Sequence, residues 1–186
     1  ERGPEELKDI PQHFGHAAKK VDLSQYSVKI FGEIVDAPNM TVPQIIQRAE
    51  RYRTDGANVI DLGCLPNTPF GHLAETVQAL KNEGFKVSVD SLLPEDLVTG
   101  GQAGADYLLS LQEASLWVLE KVDSTPIVIG TPPTNLRSLY RTIDFLIKEG
   151  VDFIADPILD PINFNFTESI VRYRNLRKRY PDIQIM

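Results

Sequence analysis

One pattern constrains this chain more than any other: a glycine, two residues of turn, then a short β-rich run that ends on a polar side chain. It occurs as Gly56-Ala57-Asn58-Val59-Ile60-Asp61, Gly84-Phe85-Lys86-Val87-Ser88-Val89-Asp90, Gly104-Ala105-Asp106-Tyr107-Leu108-Leu109-Ser110 and Gly150-Val151-Asp152-Phe153-Ile154-Ala155-Asp156. A glycine in this place closes a helix, and the run behind it reads as a strand. Apolar runs at 28–35 and 127–129 fit without the leading glycine, and 183–186 opens one more, which makes seven candidate strands. The intervening segments have helical spacing, as in 42–52, where Ile45, Ile46 and Ala49 share a face, and 136–147, with Leu139, Ile143 and Leu146.

Near-continuous apolar strands alternating with helices imply a parallel sheet covered by helices. A doubly wound sheet and a closed barrel both satisfy that pattern. Seven units, the last cut short, favour a (β/α)8 TIM barrel of the α/β class, which needs eight. The expectation is an incomplete barrel of about seven strands, at 28–35, 59–62, 86–89, 107–109, 127–129, 153–155 and 183–186. Residues 1–26, with Pro4, Pro11 and two of the three histidines, do not fit the repeat and read as an N-terminal arm or linker. Residues 27–186 read as the barrel domain, truncated at its C-terminal end because the chain stops inside an apolar run, and the start without a methionine likewise reads as a piece of a longer protein.

Bulk properties narrow the partners. At 42% hydrophobic and 24% charged, 186 residues can bury one sizeable core. A net charge of −7, with nineteen basic residues scattered along the chain, argues against nucleic acid and anionic membranes as partners, since both need a concentrated positive field. A single cysteine excludes an intrachain disulfide, and a reducing, cytoplasmic setting is the simplest expectation. The polar start is no signal peptide, and no run reaches the roughly 20 apolar residues that span a bilayer.

In a parallel α/β barrel the loops after the strands form the active face, so polar residues at strand ends are informative. Asp36, Asp61, Asp90, Ser110, Gln112 and Asp156 take such places, with Asp160, Asn163 and Asn165 in the loop beyond the last. An aspartate after a strand often just caps the next helix. Asp61, Asp90 and Asp156 directly end their runs, however, and the following turns carry their own punctuation in Pro66, Pro94 and Pro157. Several carboxylates around an apolar mouth suit a flat ring with a guanidine-like edge of N–H donors. Sugar phosphates would call for basic or glycine-rich loops, and Mg²⁺ would require Asp61, Asp90 and Asp156 to lie close together.

Three stretches, residues 56–63 (GANVIDLG), 87–91 (VSVDS) and 154–164 (IADPILDPINF), resemble the pterin-binding barrel superfamily of dihydropteroate synthases and methyltetrahydrofolate-dependent methyltransferases. Asp156-Pro157 is the most specific match. The resemblance implies that Asp61, Asp90 and Asp156 line a pterin pocket, the last two on the ring's amino-pyrimidinone edge. The expected substrate-binding set is therefore Asp36, Asp61, Asp90, Ser110, Gln112, Asp156 and Asn163, with no catalytic residue assigned and no metal ligand required.

Departures from the synthases accompany the match. They carry an Asn-Asp pair where this chain has Leu109-Ser110-Leu111-Gln112, so Ser110 or Gln112 would have to replace the Asn. Gly32-Glu33 is nearer the methyltransferases, as is the loop after Asp156. The resemblance is to a divergent synthase-related branch. It implies transfer of a hydroxymethyl-dihydropterin from its diphosphate to an arylamine in folate or methanopterin biosynthesis, with Mg²⁺ allowed as cofactor and the pterin as substrate. The alternatives are a methyl-pterin methyltransferase with a corrinoid protein as partner, and a non-catalytic pterin-binding barrel. Pairing as a homodimer is left open.

Other features have blander readings. His13 and His16 lack further ligands for a metal, Cys64 reads as a packing residue and His72 as a loop residue. Arg172, Arg174, Arg177, Lys178 and Arg179 read as the solvated face of an outer helix, Trp117 as packing between helix and barrel, and Thr131 as part of a Pro-rich turn.

Overall fold

The computed structural model describes residues 28–186, together with the backbone of two short strands, His13–Phe14 and Val21–Asp22, which pair antiparallel. The expected arm over 1–26 otherwise lies outside the described residues, and the His13 and His16 side chains with it.

Seven parallel strands follow one another in a single sheet in chain order: β1 (Phe31–Ile34), β2 (Val59–Gly63), β3 (Val87–Asp90), β4 (Tyr107–Leu111), β5 (Thr125–Val128), β6 (Ile154–Ala155) and β7 (Gln184–Ile185). The helices α1 (Val42–Thr54), α2 (Leu73–Asn82), α3 (Pro94–Gln102), α4 (Leu136–Glu149) and α5 (Phe166–Arg179) connect them, with a 3-10 helix, Glu113–Glu120, between β4 and β5. The glycines of the sequence repeat do what the repeat requires. Gly56, Gly84, Gly104 and Gly150 follow α1 to α4 at φ of 108°, 77°, 100° and 68°, a left-handed turn that costs glycine little.

Alternation along the strands divides the interior in two. Ile60, Leu62, Val87, Val89, Leu108, Leu111, Val128 and Ala155 pack under the helices in the main core. Their alternate neighbours Val59, Tyr107, Leu109, Ile127 and Ile154 form a second cluster, against which Phe31 packs. That second cluster requires a curled sheet. Phe31 of β1 meets Tyr107 of β4 edge-on, ring centroids 5.4 Å apart, although β2 and β3 lie between them in the sheet. The α/β incomplete barrel is thus the architecture, and a flat doubly wound sheet is excluded. Among the described residues no pairing joins β7 to β1.

Some strand limits differ from the expectation. Residues 28–30 lie ahead of the sheet, with Val28 82% and Ile30 53% exposed, so β1 is half the expected length. β5 begins two residues early and includes Pro126. The amides of Thr125 and Ile129 donate toward β4, so the alternate Pro126 nitrogen faces the β6 side. There pairing starts only at Ile127, and the missing N–H breaks no ladder. Trp117 does not pack inward as expected: it is 38% exposed, with the Lys121 ammonium 4.7 Å from its ring centroid. Among the described residues no helix is long and apolar enough to cross a membrane.

Candidate functional site

The same alternation that fills the lower barrel with apolar side chains brings acids to its carboxyl end. On β1, Glu33 follows Phe31 on the inner face; on β2, Asp61 follows Val59. Register sets Glu33 beside Asp61 and Asp61 beside Ser88, and two residues further along, Gly63 beside Asp90. Two levels result: Glu33, Asp61 and Ser88 below, Asp90 and Ser110 above.

Asp61 is 4% exposed, and its Oδ1 accepts a hydrogen bond from the Ser88 hydroxyl at 2.6 Å. Burial pushes its carboxyl up to about 7, and the nearby charges of Asp90 and Glu33 add to the rise against the opposing Ser88 bond. It is therefore partly protonated at neutral pH. Glu33 is also raised, by burial first and by Asp90 second. Carboxylate oxygens of Glu33, Asp61 and Asp90 all lie within 4.8 Å of one another. Gly63 leaves room for this arrangement: a Cβ there would stand 3.0 Å from Glu33 Oε1 and 3.2 Å from the Val35 Cα.

Above them the Ser110 hydroxyl donates to Asp90 Oδ1 at 2.6 Å. Ser110 can reach it because the β4–β5 register breaks between Leu108 and Leu111, and Ser110 takes a left-handed φ of 64°. Asp156 follows β6, and its Oδ1 accepts the Ile158 amide at 2.7 Å. Burial raises the Asp156 carboxyl and the charge of Asp90 raises it further, while the Ile158 amide and the Arg172 charge oppose. A cavity of about 480 Å³ opens at this end of the strands, lined by residues including Cys64, Asp90, Leu92, Ser110, Ile129 and Ile158. The three non-glycine residues with positive φ among the described residues, Asn67, Ser110 and Ile158, all line it. Such backbone is held against its local preference and gathers at sites where side chains must be aimed.

The structure brings together Asp61, Asp90 and Ser110, with Asp156 close enough to feel the Asp90 charge. Gln112 stands nearby, accepting from the Thr131 hydroxyl at 3.0 Å. Asp36 is not part of the group. It pairs with Arg48 at 2.8 Å in a separate groove against α1. Asn163 is exposed in the loop after β6.

The set that could hold a metal also differs from the expected one. Among the described residues it is Glu33, Asp61 and Asp90, with Asp156 outside it. This all-oxygen set suits a hard divalent cation. Glu33 was not among the expected site residues because it lies inside an apolar run rather than at its end. The alternation Phe31, Glu33 was the signal that could have found it.

Cys64 lines the cavity as a thiol, since burial and the acids around it push it up to about 12. His72 bonds the Met40 carbonyl through Nε2 at 2.8 Å and packs on Phe70. The basic cluster on α5 is not uniformly solvated. Arg174, Arg177, Lys178 and Arg179 are exposed, but the Arg172 side chain is 12% exposed and bonded into the loop after β6. Ser88→Ala is expected to raise the Asp61 carboxyl further, because it deletes the one bond that favours the charged form. The ¹³C chemical shift of the Asp61 carboxyl followed against pH checks this, and an unmoved midpoint would contradict it.

No family model matches the chain. An uncharacterized protein of Methanocaldococcus jannaschii is 29% identical over 175 residues, which is 83% of this chain and 33% of that protein, so the chain spans about a third of its relative. Solved structures with the same fold include the dihydropteroate synthase of Coxiella burnetii in complex with pteroic acid. Its TM-score is 0.66 at 17% identity, covering 90% of this chain and 74% of that one. A Yersinia pestis dihydropteroate synthase in a sulfonamide drug complex gives 0.65 at 17% identity, over 93% and 77%. That of Xanthomonas albilineans with 4-aminobenzoic acid gives 0.64 at 16%, over 84% and 70%. The chain has the barrel fold of the dihydropteroate synthases.

Proposed function

We propose that this barrel binds a reduced pterin, and that the protein is a divergent relative of the dihydropteroate synthases. In this reading it joins a hydroxymethyl-dihydropterin diphosphate to an arylamine in folate or methanopterin biosynthesis. The observation that carries the reading is the Asp90–Ser110 unit at the mouth, with the Asp156 carboxylate at the end of β6, two strands beyond β4. A pterin offers a row of N–H donors along one edge of a flat ring, and ionised acceptors in an apolar recess gain charge-assisted bonds to them. The ligands of the structurally similar synthases, pteroic acid and 4-aminobenzoic acid, support the same reading.

In the reaction proposed, the arylamine nitrogen attacks the pterin's exocyclic carbon, the carbon–oxygen bond to diphosphate breaks, and the amine loses a proton. Asp90 and Asp156 hold the ring so that this carbon is presented. With no cation bound, Asp61, raised to about 7, is the group near the site able to take or return a proton. Among the described residues that line the cavity there is no lysine or arginine to meet the charge on the departing diphosphate. Mg²⁺, held by Glu33, Asp61 and Asp90, would supply that neutralisation when bound.

Calorimetric titration with 6-hydroxymethyl-7,8-dihydropterin, its diphosphate and a methyl-pterin tests the proposal. Binding of the first two, with the diphosphate preferred when Mg²⁺ is present, is expected. Preference for the methyl-pterin would transfer the site to the methyltransferase reading. Failure of all three to bind would overturn the pterin reading.

A further inference from the structure

We propose that Arg172 is a positioning residue for the ligand site, acting from α5 through the loop after β6 to fix the orientation and charge of Asp156. The inference rests on the pterin reading only for the choice of ligand, since the contacts are internal to the protein.

Arg172 is nearly buried, and its guanidinium spans the loop. Nε donates to the Pro157 carbonyl at 2.8 Å and Nη2 to the Ile158 carbonyl at 2.7 Å. Nη2 also meets the Asp160 carboxylate and the Ser169 hydroxyl. Ser169, one turn earlier on α5, accepts the Asp160 amide at 2.8 Å and closes the same loop from its other end. Two carbonyls and a carboxylate are thus gathered by one planar fork, a geometry that a lysine ammonium cannot reproduce.

The loop needs such a clamp. Ile158 sits at φ 61°, a conformation that opposes a β-branched side chain, and Arg172 holds the carbonyls of Pro157 and Ile158 in that turn. With the turn held, the Ile158 amide points back at Asp156 Oδ1 at 2.7 Å. Contacts therefore run without interruption from α5 to the carboxylate at the mouth.

Charge reinforces geometry. The groups facing Asp156 are Asp90 from β3, the Ile158 amide from the loop, and Arg172 and Tyr173 from α5. Arg172 is the cation among them. Without it, among the described residues, Asp156 would face the Asp90 charge with the Ile158 amide alone in support.

The test compares wild type with Arg172→Gln, Arg172→Lys, Asp156→Asn and the double variant Asp156→Asn/Arg172→Gln. Calorimetry with 6-hydroxymethyl-7,8-dihydropterin between pH 5 and pH 8 gives affinity, and ¹³C NMR of the Asp156 carboxyl gives its titration without any ligand. Arg172→Gln is expected to weaken binding about tenfold at pH 7, the size of one lost charge-assisted contact. Its affinity should fall away at higher pH than wild type, with the Asp156 midpoint moved up to match. Arg172→Lys should keep the midpoint near that of wild type but recover only part of the affinity, because the charge returns and the fork does not.

In the Asp156→Asn background, Arg172→Gln should cost nothing more. A wild-type midpoint in Arg172→Gln, or an equal loss in both backgrounds, would overturn the inference. If Arg172→Gln fails to fold, the lysine variant decides, since full wild-type affinity there would refute the need for the fork. Should wild type bind no pterin, the functional reading fails while the NMR midpoint still judges Arg172.

Discussion

Asp61→Asn is expected to stabilise the protein at pH 8 by about 2 to 4 kcal/mol and to change it little below pH 4, where the wild-type carboxyl is protonated anyway. The size follows from a folded-state value of about 7 against an ordinary aspartate near 3.9. The folded protein binds this proton more tightly than the unfolded chain does. Stability from Asp61 is therefore fully present below about pH 4 and is lost progressively as pH rises through about 7. An asparagine loses nothing over that window. Its Oδ1 can still accept the Ser88 hydroxyl that now bonds Asp61 at 2.6 Å, and its amide can donate to the carboxylates beside it. Urea denaturation of both proteins at pH 4, 6 and 8 reads the effect as a pH-dependent difference in midpoint at constant slope. Equal stability at every pH would mean that Asp61 is ionised without cost in the folded protein.

Asp90→Asn and Asp156→Asn should each weaken binding of a reduced pterin by about 1.5 to 3 kcal/mol, the range for a hydrogen bond to a charged group. Both should leave the fold intact. The Ser110 hydroxyl can donate to an asparagine oxygen at position 90 as it does to the carboxylate, and the Ile158 amide can do the same at position 156. Asp90→Asn has a second consequence. The Asp90 charge contributes to raising Glu33, Asp61 and Asp156, so its removal should lower all three titrations. Glu75, exposed in the first turn of α2, serves as the control, and Glu75→Gln should alter neither affinity nor these titrations. Calorimetry paired with denaturant unfolding separates the outcomes. Normal pterin affinity with a large loss of stability would show that Asp90 and Asp156 serve the turns that follow their strands and do not hold a ligand.

The residues legible from sequence were those whose position in a repeat announced them. Asp61, Asp90 and Ser110 each follow an apolar run behind a glycine, and in the structure Asp90 at the end of β3 joins Asp61, inside β2, to Ser110, near the end of β4. Asp36 had the same kind of position after β1, yet it turns out to Arg48 on the surface. A side chain in a turn beyond the strand is not fixed by the strand's alternation, so its direction could not be read. Arg172 was concealed among neighbours that share its charge. Nothing in the spacing of five basic residues on one helix says which of them points under a loop from another strand.

By itself the sequence determined the order of strands and helices, the left-handed glycines that separate them and the alternation that sends Asp61 and Asp90 inward, because all of these are properties of short segments. Only the tertiary structure decided that the sheet curls far enough for Phe31 to meet Tyr107, that Glu33 joins Asp61 and Asp90, and that an arginine on α5 clamps the loop behind Asp156. Each of these joins residues far apart in the chain. They depend on strand register and on the curl of the sheet, where an acid's ionisation is set by which other charges the fold places within a few ångströms.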